Sequence, residues 1–194
     1  MKNKLKEKEA PVQIAGVSPM DCNIEFVGTS VGRKVIWLQN GKSRHFEELP
    51  KSIIQELGKM YLNTPEAILE FTTNPEYRNP SLERQIELFT FYNYGDLDDK
   101  PDVINGKLQA SENFREKENC PSLKFKEIKI NGASLTKEEL KIIDLFKKDF
   151  PDKACWDELG VKESQFKYLK SKLYRKANVQ SKTGLLIRVF HENI

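Results

Sequence analysis

From Leu135 to the end of the chain, apolar residues recur at helical spacing in four runs separated by short breaks. A strand would need a two-residue period, so this pattern restricts the segment to packed helices. Thr136 is placed to cap the first helix, and Glu138 and Glu139 fall in its first turn, where the macrodipole favours negative charge. Leu140, Ile142, Ile143, Leu145 and Phe146 supply its apolar face. Asp149-Phe150-Pro151 breaks it, a short helix follows through Leu159, and Gly160-Val161 forms a tight turn. A basic helix then spans about Glu163 to Ala177, and Ser181 caps a last helix carrying Leu185, Leu186, Val189 and Phe190. A short helix and a basic helix joined by a glycine turn are the helix-turn-helix plan.

The whole chain, 194 residues, carries a net charge of only +3. That average hides an asymmetry. Residues 1–133 hold 19 basic against 20 acidic side chains, whereas residues 134–194 hold 13 against 9. Seven of the basic groups, Lys162, Lys167, Lys170, Lys172, Arg175, Lys176 and Lys182, lie in one stretch of 21 residues opposed only by Glu163. Positive charge concentrated in this way points to a polyanionic partner.

A helical wheel locates the face that would meet it. With Phe166 at 0° and about 100° per residue, Leu173, Ala177 and Leu169 gather near Phe166 as a buried stripe. Ser164, Tyr168, Ser171 and Arg175 fall on the opposite side, with Lys167 and Lys172 at its edges. Lys170 lies beside the core, where its stem would snorkel. Hydroxyl and aromatic groups edged by cations suit a major groove, small polar residues meeting base edges and cations meeting phosphates. The expected DNA-binding set is Lys162, Ser164, Lys167, Tyr168, Ser171, Lys172, Arg175, Lys176 and Lys182.

The residues themselves resemble a family. Leu135-Thr136-Lys137-Glu138-Glu139-Leu140-Lys141-Ile142-Ile143-Asp144-Leu145 is similar to the Leu-Thr-x-Arg-Glu-x-Glu-Val-Leu-x-Leu opening of LuxR/GerE-type DNA-binding domains. The likeness continues without a gap through Asp152-Lys153, Glu158-Leu159-Gly160-Val161, Phe166-Lys167 and Leu173-Tyr174-Arg175-Lys176 to Val179-Gln180-Ser181-Lys182-Thr183 and Leu185. The resemblance implies a four-helix domain that binds duplex DNA, with Lys167, Tyr168 and Ser171 at groove-contacting positions. It also implies a homodimer through the last helix, by Leu185, Val189 and Phe190, although the same face would serve equally to close the small core. The chain departs from the pattern at Asp149, usually glycine, and at Trp156, usually a small alanine. Gln165 and Leu169 replace a threonine and a histidine of the recognition helix, and Lys170 replaces an apolar residue. A tryptophan at a tight helix contact demands rearrangement around it.

Upstream the pattern is mixed. Residues 1–19 read as a flexible tail, and order begins near Cys22. Asn23 to Val27 alternates as a strand does, and Asn40-Gly41 between Lys34–Leu38 and Ser43–Phe46 is a strong hairpin signal. Helices are expected over Lys51–Leu62, from Thr64-Pro65-Glu66 with Thr64 as cap, and from Pro80-Ser81 to about Tyr94. Gly95 to roughly Asn119 reads as a long loop, and Leu123 to Ile130 as a further strand ending at Asn131-Gly132. The sequence therefore predicts an α+β module of unknown role over residues 20–133, then an all-α four-helix helix-turn-helix domain over residues 134–194.

Other functions find little footing. Asp96 to Asp102 looks like a calcium loop, but the sixth and twelfth places hold Pro101 and Lys107 where an EF-hand needs glycine and glutamate. Cys22, Cys120 and Cys155 are too scattered for a zinc cluster or disulfide framework and fit a reducing cytoplasm. His45 and His191 have no partner at a catalytic spacing, and Trp37, Phe89, Phe91 and Tyr92 read as core. The start, Met1 to Glu9, lacks a signal peptide's apolar core, and no apolar run is long enough for a membrane span. The expectation is a cytoplasmic transcription regulator of bacterial or phage origin, with no cofactor, metal or catalytic residue and an unknown protein partner for residues 20–133. The alternative is an interaction module, an inhibitor or adaptor carried by a phage or mobile element, whose helix-turn-helix no longer reads an operator.

Overall fold

Asn40 and Gly41 take positive φ, 53° and 72°, and turn β2 (Lys34–Gln39) back into β3 (Lys42–His45), as the Asn-Gly pair predicts. The computed structural model describes residues 14–194. It shows an α+β part followed by helices. β1 (Glu25–Thr29) pairs antiparallel with β2, Phe26 opposite Trp37, and the two-residue period drives Phe26, Val35 and Trp37 into the core. Of α1 (Lys51–Leu62), α2 (Pro65–Thr73) and α3 (Leu82–Tyr94), α3 packs on β1 and β2, and α1 and α2 pack on α3 and on each other. Gly28 permits that packing: a Cβ there would stand 2.8 Å from the Phe91 ring. Tyr61, Phe71, Phe89, Phe91, Tyr92 and Tyr94 fill the space between the helices.

Three expectations need correction here. Thr64 does not cap α2; its hydroxyl donates to the Met60 carbonyl of the preceding helix at 2.8 Å, because α1 ends two residues earlier, at Leu62, and leaves that acceptor in reach. The tail does not extend to residue 19. Residues 1–13 lie outside the described residues, but Ala15 is buried and donates to the Asp98 carbonyl at 3.3 Å, and the Gly16 carbonyl accepts from Gly41. Leu123 to Ile130 is not one strand. Pro121–Lys124 forms a 3-10 turn, and only Lys129–Ile130 (β6) pairs, with Ala133–Ser134 (β7) across Asn131-Gly132. Its alternation has another cause: Phe125 packs with the aromatic core, whereas Ile128 and Ile130 pack with the helices that follow. The excursion over 95–119 is a loop for most of its length, but Asn105-Gly106 closes a short hairpin of β4 (Val103–Ile104) and β5 (Lys107–Leu108). Val103 bridges to Ile24, which brings the loop back beneath β1.

α4 (Lys137–Lys147), α5 (Asp152–Leu159), α6 (Glu163–Ala177) and α7 (Lys182–His191) follow. Thr136 and Glu139 form a reciprocal capping box at the start of α4, with bonds of 3.3 and 2.8 Å. Phe146, Cys155, Phe166, Leu173, Leu185 and Val189 are buried together in a second apolar cluster. That cluster includes Ile128 and Ile130, so the packing unit begins upstream of residue 134. Arg115 spans the two clusters, holding both oxygens of Asp144 at 2.8 and 3.1 Å. No helix among the described residues is long and apolar enough to cross a membrane.

Candidate nucleic-acid interface

Gly160 adopts φ 66° at the end of α5, which reverses the chain within three residues and starts α6 at Glu163. Asp149, where the LuxR/GerE pattern carries glycine, is also left-handed with φ 60°, a conformation that aspartate tolerates better than most residues. α6 rests on α4, α5 and α7 through Phe166, Leu173 and Ala177, all 0% exposed. Phe166 is clamped edge-on between Phe146 and Trp156, with ring centres 6.5 and 6.1 Å away. Trp156 thus needs no overpacked pocket; it stays half-buried at the α5–α6 seam. Leu169 is also only half-buried, at the margin of the stripe the wheel assigned it to. Burial pushes the Cys155 thiol up, which suits a packed side chain rather than a nucleophile.

The opposite side of α6 faces outward. Ser164, Lys167, Tyr168, Ser171 and Arg175 are exposed, Tyr168 to 62%, and Lys162 is exposed just before the helix. Lys167 pairs with Glu163 at 2.6 Å, one turn away and in full contact with solvent. Such a pair is weak enough to exchange its carboxylate for a phosphate. Lys172 is half-exposed, and its charge helps hold the Glu138 carboxyl below the usual range, after the hydrogen bonds from the Glu138 main chain and Thr136. These residues form a continuous polar surface on a helix fixed from behind.

Two residues of the expected DNA-binding set do not join that surface. Lys176 turns toward α4, its ammonium 2.6 Å from Glu139 and 2.7 Å from the Ser134 carbonyl. Glu139 is 0% exposed, so Lys176 is the counter-charge that lets the capping box stay buried. Lys182 is directed to Asp149 and the Phe150 carbonyl, at 3.1 and 3.0 Å, and lies 5.1 Å from the Phe146 ring centre. Lys170 likewise reaches Asp152 across the helix turn. The linear charge run hid these pairings because their partners lie 18 to 37 residues away.

The dimer surface also contracts. Leu185 and Val189 are 0% and 1% exposed in their own core, so they cannot meet a second copy. Phe190 at 79% and Ile187 at 54% remain outside. Comparison of the chain with protein-family profiles, with curated proteins and with solved structures found no match.

Proposed function

We propose that the chain binds duplex DNA through α6 and acts as a transcription regulator, with the α+β part supplying a tether or a protein contact. One observation carries this reading. α6 is immobilised by an apolar stripe on one side and presents Ser164, Lys167, Tyr168, Ser171 and Arg175 on the other. A rigid helix with short polar side chains along its exposed ridge and cations at its edges matches the width and chemistry of a major groove. The start of α6 adds unpaired main-chain N–H groups for a phosphate, beside the exposed Lys162. The resemblance of residues 135–185 to LuxR/GerE domains supports the same role. The test is selection of bound sequences from a pool of random duplexes at low salt. Enrichment of a motif is the expected result, and no retention of any duplex at low salt contradicts the proposal.

A second reading has its own support. Ile187 and Phe190 stand exposed on α7, and Phe190 borders a cleft of about 740 Å³ shared with Phe114, Arg115 and Lys147. An apolar side chain beside cations fits a protein surface better than a duplex. Stoichiometric capture of one protein, unaffected by nuclease and lost in Phe190→Ala, favours the interaction module over DNA.

A further inference from the structure

Three carboxylates far apart in sequence meet beneath β1. Glu25 opens β1, Asp102 precedes β4, and Glu112 follows β5. One oxygen of each lies within 4.8 Å of the other two. Glu25 is 0% exposed and Asp102 2%. A main-chain N–H orients each carboxylate by one oxygen: Asp98 donates to Glu25 Oε1 at 3.0 Å, Phe26 to Asp102 Oδ2 at 2.7 Å, and Asp96 to Glu112 Oε2 at 3.0 Å. Their other oxygens are not so served. Glu25 Oε2 is enclosed without any hydrogen-bond partner among the described residues, and Glu112 Oε1 has none unless the neighbouring Asp102 carboxyl holds a proton and donates it. Buried polar atoms almost always have a partner, and buried charge more so, so this arrangement is incomplete as it stands.

The surroundings say what completes it. Lys126 carries a charge that acts on Glu112, but its ammonium donates to the Tyr92 carbonyl and stands 5.9 Å from the Phe114 ring centre. Asp102 and Glu112 also line a cleft of about 510 Å³ with Asp98, Asn113, Asn131 and Glu192, so water and small ions reach them. We propose that Glu25, Asp102 and Glu112 bind a hard divalent cation, calcium in preference to magnesium, its remaining positions filled by water from the cleft. An all-oxygen, anionic donor set selects calcium, magnesium or manganese over thiophilic metals. Calcium accepts irregular sets of six to eight oxygens, whereas magnesium demands near-ideal octahedral geometry and gives up its water reluctantly. Enclosed carboxylates brought together from three separate segments suit the more tolerant ion. Burial, then mutual repulsion, raises the Asp102 carboxyl, and burial is the largest cause that raises Glu25 and Glu112. The ion ties β1 to the acidic loop and to the β4–β5 excursion, adding to the main-chain bonds that Ile24 exchanges with Val103 and that Gly28 donates to Gly95.

The test uses the full chain freed of metal by chelation and titrated calorimetrically with calcium, magnesium and manganese chlorides. Expected are one saturable calcium site, at least tenfold weaker magnesium binding, and an unfolding temperature raised by several degrees in saturating calcium. Asp102→Asn with Glu112→Gln should remove both the heat and the shift. Terbium serves as a second readout on the unaltered protein: Tyr94, whose hydroxyl feels the charges of Asp102 and Glu112, should sensitise its emission, and calcium should displace it. That readout decides the matter if the double variant fails to fold. No heat and no terbium emission at millimolar cation overturn the site, and magnesium binding as tight as calcium overturns the preference for calcium.

Discussion

The C-terminal helices and the α+β part handle charge in opposite ways. Between Lys162 and Lys182 the chain concentrates seven cations, yet in space they separate. Lys170, Lys176 and Lys182 close ion pairs within the fold, while Lys162, Lys167 and Arg175 face outward and Lys172 lies at the margin. In the α+β part, Glu25, Asp102 and Glu112 are scattered over 88 positions and converge within 4.8 Å. Charge density along a sequence therefore overstates one surface and conceals the other. Tertiary neighbours decide which charges are available to a partner, because an unpaired charge is costly only where water is excluded.

The difference can be broken by substitution, beginning on α6. Phe166→Ala should cost roughly 3–5 kcal/mol, since it empties a fully enclosed site between Phe146 and Trp156. Tyr168→Ala, two residues away on the exposed ridge, should leave the unfolding midpoint in urea almost unchanged. Equal losses from the two would mean that α6 is not seated as described. Next in size, Lys176→Ala should destabilise by about 3 kcal/mol, because it strands the buried Glu139 carboxylate. If Lys176→Ala weakens DNA binding but not folding, the inward assignment fails. Acidity sharpens the other half of the comparison. Glu25 is pushed up to about 8 by burial, whereas an unfolded glutamate titrates near ~4.3. The folded state then holds a proton that the unfolded state has released, so this contribution to stability is complete below that lower value and lost as pH rises through about 8. Glu112, Asp98 and Asp96 press in the same direction from the acidic loop and excursion, Glu25 in turn raises Asp102, and the charge of Lys126 acts on Glu112 and Asp96. Chelated protein should melt at lower temperature at pH 8 than at pH 5, with the dependence reduced in Glu25→Gln. A melting temperature independent of pH in both proteins contradicts the burial of a charged cluster.

Where local chemistry is strong, the sequence already shows the structure. Asn40-Gly41 identifies the β2–β3 hairpin, and the helical period with Ser81, Thr136, Gly160 and Ser181 at its ends gives α3 to α7 to within about a residue or two. The same Asn-Gly rule applied at Asn105-Gly106 would have found the β4–β5 hairpin, whose strands are only two residues long. Leu123 to Ile130 misleads because two cores on opposite sides of a crossing segment produce the alternation that one sheet face would. The outward residues of α6 were legible from the wheel alone. Lys176–Glu139 and the carboxylate cluster were not, since both depend on contacts 10 to 87 residues apart that no local period records.

The central claim, that α6 meets a polyanion with its outward cations and not with the inward ones, is tested most directly by salt dependence. Fluorescence anisotropy of a mixed-sequence duplex, titrated between roughly 50 and 200 mM salt, gives the number of phosphates engaged from the slope of log affinity on log salt, about 0.9 per contact. Lys162→Ala with Lys167→Ala and Arg175→Ala should weaken binding severalfold at each salt and flatten the slope by about 1 per lost cation, with no change in unfolding temperature. A duplex that fails to bind at the lowest salt, or a triple variant with the affinity and slope of the unaltered chain, contradicts the assignment of α6 as the DNA-contacting helix.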